Sequence, residues 1–127
     1  NDFARRLFAP ELIMFHNRAI GLSGAQRAAI SEAVQLLQSD VVDPQWRLME
    51  SSQQLTELLE SAATNEAQAL LVLDQVLEAE SEIKRANFSA LIRIKNALTP
   101  EQQIQLSGLR YYGAYPRDTS TSPGPAN

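Results

Sequence analysis

A helix-capping motif that occurs twice is the feature that most constrains how this chain folds. The motif is Leu, then Ser or Thr, then Gln three positions after the hydroxyl residue. Its two copies are formed by Leu22, Ser23 and Gln26 and by Leu98, Thr99 and Gln102. In this arrangement the hydroxyl oxygen accepts from the backbone N–H of the Gln, while the Gln side chain accepts from the backbone N–H of the hydroxyl residue. Each copy therefore predicts the first turn of a helix.

The residues around the motifs predict further helix boundaries. A short helix is expected from about Pro10 to Ala19, stopping at Gly21 in the left-handed conformation that favours glycine. Pro100 suits the first position of a last helix, which is expected to end around Gly108. The helical domain is predicted to comprise residues 1–110. Residues 111–127 form a tail whose Pro, Ser and Thr content is typical of disorder.

The segment between the motifs predicts longer helices. Residues 45–99 contain neither Gly nor Pro. Apolar residues recur at helical spacing both before and after Pro44. Pro44 predicts a kink or short break near residues 42–43, after which Asp43 would cap the continuation. Thr64 is expected to cap the longest helix, which ends near Leu98. Together these boundaries predict an all-α fold of four to five helices, with one long helix.

The long helix carries two apolar stripes. One stripe has heptad-like spacing and includes two polar positions, Glu80 and Asn87, which either set the register of helix packing or belong to a ligand site. The second stripe lies beside it and suggests contact with another subunit. Its members are Leu70, Leu77, Leu91 and Leu98.

Composition excludes most chemistry. The chain has no Cys and therefore no thiolate nucleophile, it has a single His, and neither a nucleophile elbow nor a Gly-rich phosphate loop is present. We expect no enzyme activity and no cofactor. Ten acidic residues and one basic residue lie between positions 40 and 82, whereas four basic and no acidic residues lie between 84 and 95. The net charge of −4 argues against nucleic acid as a partner.

The two motifs, together with the segments that precede them, resemble the Spy/CpxP-like periplasmic proteins, the LTxxQ-motif family that also includes heavy-metal sensors. The first segment is Pro10-Glu11-Leu12-Ile13-Met14. The others are Glu82-Ile83-Lys84-Arg85 and Leu91-Ile92-Arg93-Ile94-Lys95-Asn96. The resemblance covers roughly residues 8–110. The first motif departs from the family pattern at Ser23 and Gly24.

The resemblance implies an elongated, hairpin-like bundle that forms an intertwined homodimer in the periplasm. Its function would be a non-covalent, envelope-stress role, binding unfolded proteins or an envelope sensor partner on an apolar surface. Arg93 and Lys95 would attract acidic client segments at the margin of that surface, and Tyr111 and Tyr112 either line it or fasten the tail. Since the chain opens at Asn1 rather than Met, a signal peptide or membrane anchor is expected to precede it.

Two other functions stay open. The first is a periplasmic metal sensor that regulates a signalling partner, for which His16 is the sole imidazole candidate. Leu12 and Ile20 stand four residues from His16, where a second ligand would be needed, so we expect His16 to be a surface or interface residue rather than a metal ligand. The second alternative is a purely structural dimerisation module.

Overall fold

The computed structural model describes residues 2–111, and in this part of the chain helices are joined by turns and short irregular segments, with no strand. A one-turn 3-10 helix, Ala4–Arg6, precedes four α-helices. These are α1 (Pro10–Phe15), α2 (Gly24–Leu59), α3 (Glu66–Asn96) and α4 (Pro100–Tyr111). The all-α prediction is confirmed, and α2 and α4 begin directly after Ser23 and Thr99, as the motifs predict. The predicted tail lies outside the described residues beyond position 111.

The short helices differ modestly from expectation. Helix α1 ends at Phe15 rather than near Ala19, and turns occupy residues 16–21. Gly21 has a φ of 67°, which confirms the left-handed conformation predicted there. Helix α4 continues through Gly108 to Tyr111, because one glycine in a helix costs only about 1 kcal/mol relative to alanine.

Pro44 does not break its helix, so of the predicted kink or short break at residues 42–43 the break is wrong, and the kink stays a prediction. Helix α2 is continuous over 36 residues with Pro44 inside it, and it is longer than the 31-residue α3. The Pro44 ring is buried, and Asp43 accepts a hydrogen bond from Arg47 instead of capping a new helix. We infer that packing on both sides of Pro44 compensates the roughly 3 kcal/mol that an interior proline costs.

The cap of α3 also differs from the prediction. Oδ1 of Asn65, not Thr64, accepts from the backbone N–H of Gln68 at 2.9 Å. The Thr64 hydroxyl instead donates to the carbonyl of Leu58 at 3.2 Å, near the end of α2. Asn is as good a cap as Thr, and the geometry of the 60–65 turn selects between the two neighbours.

The described residues form two compact units. The terminal unit comprises residues 2–31 and 91–111, and the hairpin unit is Glu32–Ala90. Within the hairpin unit, the later part of α2 and the earlier part of α3 are joined by the turn at 60–65. No helix within the described residues combines the length and the apolar character that crossing a membrane requires.

The large apolar core belongs to the terminal unit. Its four fully buried large side chains are Leu12, Ile13, Ile94 and Leu106. Arg110 of α4 ties down the N-terminal segment, because its guanidinium donates to the carbonyls of Arg5 and Leu7 and stacks 4.9 Å from the Phe8 ring centroid.

The hairpin unit buries smaller groups. Its buried apolar residues are Ala33, Pro44, Ala79 and Ala90, and its buried polar residue is Ser51. Each helix of a two-helix hairpin is covered on one side only, so many large apolar side chains stay half-buried or exposed.

The inward seam of α3 runs through Ala79 rather than Glu80. Ala79 is fully buried, whereas Glu80 and Asn87 are both exposed. A straight helix has 3.6 residues per turn and drifts away from a strict heptad, so the polar pair leaves the seam. The amide of Asn87 donates to the carbonyl of Ile83 in its own helix at 3.1 Å.

Candidate functional site

Both capping motifs form the reciprocal geometry that their sequence predicts. In the first, the backbone N–H of Gln26 donates to the Ser23 hydroxyl at 3.0 Å, and the backbone N–H of Ser23 donates to the Gln26 side-chain oxygen at 3.0 Å. In the second, the backbone N–H of Gln102 donates to the Thr99 hydroxyl at 3.1 Å, and the backbone N–H of Thr99 donates to the Gln102 side-chain oxygen at 2.9 Å. Two otherwise unpaired donors are satisfied at each helix start.

The two motifs then join each other, although 76 positions separate their glutamines. Nε2 of Gln26 donates to Oε1 of Gln102 at 2.7 Å, and Nε2 of Gln102 donates back to Oε1 of Gln26 at 3.1 Å. The remaining hydrogens are directed to backbone carbonyls, that of Ala97 for Gln26 and that of Ile20 for Gln102. Each amide therefore makes all the bonds that two donors and two acceptor sites permit.

This glutamine pair connects the turn after α1, the start of α2, the turn after α3 and the start of α4. Gln102 is buried, with 6% of its surface exposed, while Gln26 is half-buried. The orientation of each amide is determined, because a backbone N–H only donates and a carbonyl only accepts. Amides do not transfer protons near neutral pH, so the pair fastens the terminal unit and carries no acid–base chemistry.

His16 is buried, so its expected surface position is wrong. Only 7% of its surface is exposed, and its Nε2 atom is enclosed without a hydrogen-bond partner. The ring packs edge-on against Phe15, with centroids 4.9 Å apart. His16 directly follows α1, and the apolar side chains of that helix carry it into the core of the terminal unit. Over the part of the chain that the structure describes, no group of three or more His, Cys, Asp or Glu side chains could hold a metal ion.

Arg93 and Lys95 lie in the last turn of α3, where positive charge interacts favourably with the helix dipole. Arg93 is exposed and Lys95 half-buried. Both side chains are therefore accessible to solvent on the terminal unit, and their place at the margin of a binding surface stays a prediction. Tyr112 and the side chain of Tyr111 lie outside what the structure describes, so their predicted place on the surface stays a prediction.

A polar contact that the sequence did not reveal joins the two helices of the hairpin unit. The guanidinium of Arg47 donates to both carboxylate oxygens of Glu82, at 2.9 Å through Nη1, and its Nε donates to Asp43 at 3.0 Å. These hydrogen bonds lower the pKa of Glu82 and raise that of Arg47. Both side chains are about two-fifths exposed, so salt and water screen the pair, and its main effect is to set the register of α2 against α3.

An exposed apolar strip follows α2 on the side that faces away from the buried residues Ala33, Pro44 and Ser51. Val42, Trp46 and Met49 are 52%, 65% and 58% exposed, and they line one shallow depression. A groove continues from Met49 toward the end of α2, where Glu57 and Glu60 line it. We call this surface, Val42 to Glu60, the α2 strip.

The sequence held a usable signal for the α2 strip. At about 100° per residue, Trp46 lies well off the face that contains Ile30, Val34, Leu37 and Val41. Val42, Trp46 and Met49 follow the i, i+4, i+7 pattern of a second face.

No family model, curated protein or solved structure matches this chain.

Proposed function

We propose that this protein is a periplasmic, envelope-stress binding protein of the Spy/CpxP type, which holds unfolded proteins or a sensor partner through non-covalent contacts. The observation that carries the proposal is the exposed apolar surface of the hairpin unit. Large apolar side chains there stay open on both helices: Val42, Trp46, Met49, Leu59, Leu70, Leu71 and Leu77. Val42, Trp46 and Met49 line one depression, and an exposed apolar patch is characteristic of protein-interaction sites.

The chemistry of this surface suits partners of varied sequence. Burying apolar area contributes about 25 cal/mol per Å² without requiring one complementary shape. Methionine adapts to irregular partners, as surfaces that bind many targets require. The paired glutamines hold the terminal unit together while the hairpin unit presents its apolar side chains.

Aggregation of a reduced client tests the proposal. Because the chain has no Cys, dithiothreitol can unfold insulin without altering the binding protein. We expect near-stoichiometric amounts to suppress the light scattering of reduced insulin. Absence of suppression at several-fold excess would contradict the proposal.

Two variants locate the activity. Trp46→Gln/Met49→Gln removes apolar contacts from the hairpin unit and should weaken suppression. Ile104→Gln removes a 73% exposed apolar side chain from the terminal unit and serves as the matched control. Equal loss in both variants would refute a role specific to the hairpin unit. Circular dichroism establishes that each variant is folded.

We also propose the homodimer, formed through the exposed side of α3. Leu70 and Leu77 of the second stripe are 49% and 51% exposed, and the adjacent Leu71 is 66% exposed. Light scattering of the unmodified protein should give twice the mass of 14.1 kDa. Leu70→Gln/Leu77→Gln should shift it toward the monomer, and a monomeric unmodified protein at high concentration would contradict the proposal.

A further inference from the structure

Charge is divided between the two units of the chain. The hairpin unit carries eleven acidic and three basic residues, a formal charge of −8. The described residues of the terminal unit carry three acidic and seven basic residues, a formal charge of +4. The net charge of −4 therefore conceals a strongly acidic hairpin unit, which attracts cations and repels anions.

The α2 strip includes the C-terminal end of α2, whose partial negative charge is not offset by a basic residue in its last turn. The C-terminal end of a helix carries partial negative charge and favours basic residues. The last turns of α3 and α4 have them, Arg93 with Lys95 and Arg110 respectively. The last turn of α2 has none; Glu57 lies in that turn and Glu60 directly follows the helix, and neither has an ion-pair partner in the described residues.

We propose that the α2 strip is a docking site for a cationic amphipathic polypeptide segment. The proposal rests on the proposed function in one respect, that the protein binds other polypeptides. Apolar side chains of the partner cover Val42, Trp46 and Met49, and its Lys or Arg residues contact Glu57 and Glu60. The strip runs over 19 residues, Val42 to Glu60, or about 28 Å at helical rise, which matches a partner helix of about five turns.

Charge argues against the other occupants. A second copy packed parallel on the strip would bring the same glutamates from both subunits together, and one packed antiparallel would cover Glu57 and Glu60 with the apolar end of the other strip, so that either arrangement leaves carboxylates uncompensated in the interface. Anionic lipid surfaces are repelled for the same reason. A cationic segment instead offsets both the carboxylates and the negative helix end.

The single Trp of the chain lies in the strip, so its fluorescence reports directly on occupancy. The probe is a synthetic amphipathic peptide of Leu and Lys, about 18 residues or five helical turns long, compared with the same sequence carrying Glu in place of Lys. We expect the Leu/Lys peptide to shift Trp46 emission to the blue and to bind at least about tenfold more tightly than the Leu/Glu peptide. Its affinity should fall as salt is raised.

Two variants that remove the same charge distinguish binding at the α2 strip from general attraction of cations to the acidic hairpin unit. Glu57→Gln/Glu60→Gln should weaken Leu/Lys binding several-fold. Asp74→Asn/Glu80→Gln removes the same charge from exposed positions of α3 and should leave binding within about twofold of the unmodified protein. Equal weakening in both variants, or equal affinity for the two peptides, would overturn the proposal.

Failure of the docking inference can be distinguished from failure of the proposed function, because the peptide and insulin experiments give separate results. If reduced insulin, an acidic client, is still held while the Leu/Lys peptide fails to bind, the docking inference falls and the proposed function stands. If neither is held, both fall.

Discussion

The side-chain amides of Gln26 and Gln102 donate to each other, at 2.7 Å in one direction and 3.1 Å in the other. Each glutamine also accepts from the backbone at its own helix start. A local capping interaction and a long-range contact thus share the same two side chains. Loss of either glutamine removes the capping bonds at one helix start, the amide pair and the bond to one backbone carbonyl at once.

We expect Gln26→Ala and Gln102→Ala each to lower the free energy of unfolding by about 1–3 kcal/mol, because each leaves part-buried donors and acceptors unpaired. The double variant should cost less than the sum of the two, with a coupling energy of about 0.5–3 kcal/mol. Urea denaturation of the four proteins measures this cycle. Gln105→Ala, at an exposed position of α4, is the control, and strict additivity of the two substitutions would contradict direct pairing.

Gly21 and Gly108 should respond oppositely to alanine. Neither position has an atom within 4 Å of an added Cβ, so the difference arises from the backbone. Gly21 has a φ of 67°, and Gly21→Ala should lower the unfolding free energy by about 1–2 kcal/mol. Gly108→Ala lies within α4 and should raise it by about 0.5–1 kcal/mol. Thermal melts of both variants check the prediction, and a stabilising Gly21→Ala would refute the left-handed turn.

The Arg47–Glu82 pair should make stability sensitive to acid. Because hydrogen bonds from Arg47 lower the folded-state pKa of Glu82, the contribution of the pair is fully present above the ordinary glutamate value of about 4.3. It is lost as pH falls through the lowered folded-state value. The melting temperatures of the unmodified protein and Glu82→Gln should therefore differ near neutral pH and converge in strong acid.

Glu80→Gln provides the control for this titration, since Glu80 is exposed on the same helix. Its melting temperature should stay parallel to that of the unmodified protein across the whole range. A gap between Glu82→Gln and the unmodified protein that widens in acid would contradict the assigned pair.

His16→Leu should maintain or raise stability. The imidazole buries a nitrogen without a hydrogen-bond partner, and an unpaired buried polar group costs about 1–3 kcal/mol. His16→Ala removes the same nitrogen but leaves a cavity, and should lower the unfolding free energy by about 2 kcal/mol or more. Chemical denaturation compares the two, and equal losses in both variants would show that the imidazole itself is stabilising.

Helix boundaries that depend on nearby residues were predictable. The starts of α2 and α4, the left-handed Gly21 and the all-helical class follow from capping and spacing within a few residues. Pro44 shows where local reasoning fails, because its cost of about 3 kcal/mol is outweighed by packing, which the 42–44 segment alone does not reveal. The choice of Asn65 over Thr64 likewise depends on the turn between two packed helices.

The sequence by itself determined where helices begin, since a cap and its partner are three residues apart and their hydrogen bonds form within one turn. Only the tertiary structure decided that Gln26 meets Gln102, that His16 is enclosed and that α2 continues through Pro44. These contacts join or separate residues far apart in the chain. They depend on which helix faces pack together, and that is a property of the whole arrangement rather than of any one segment.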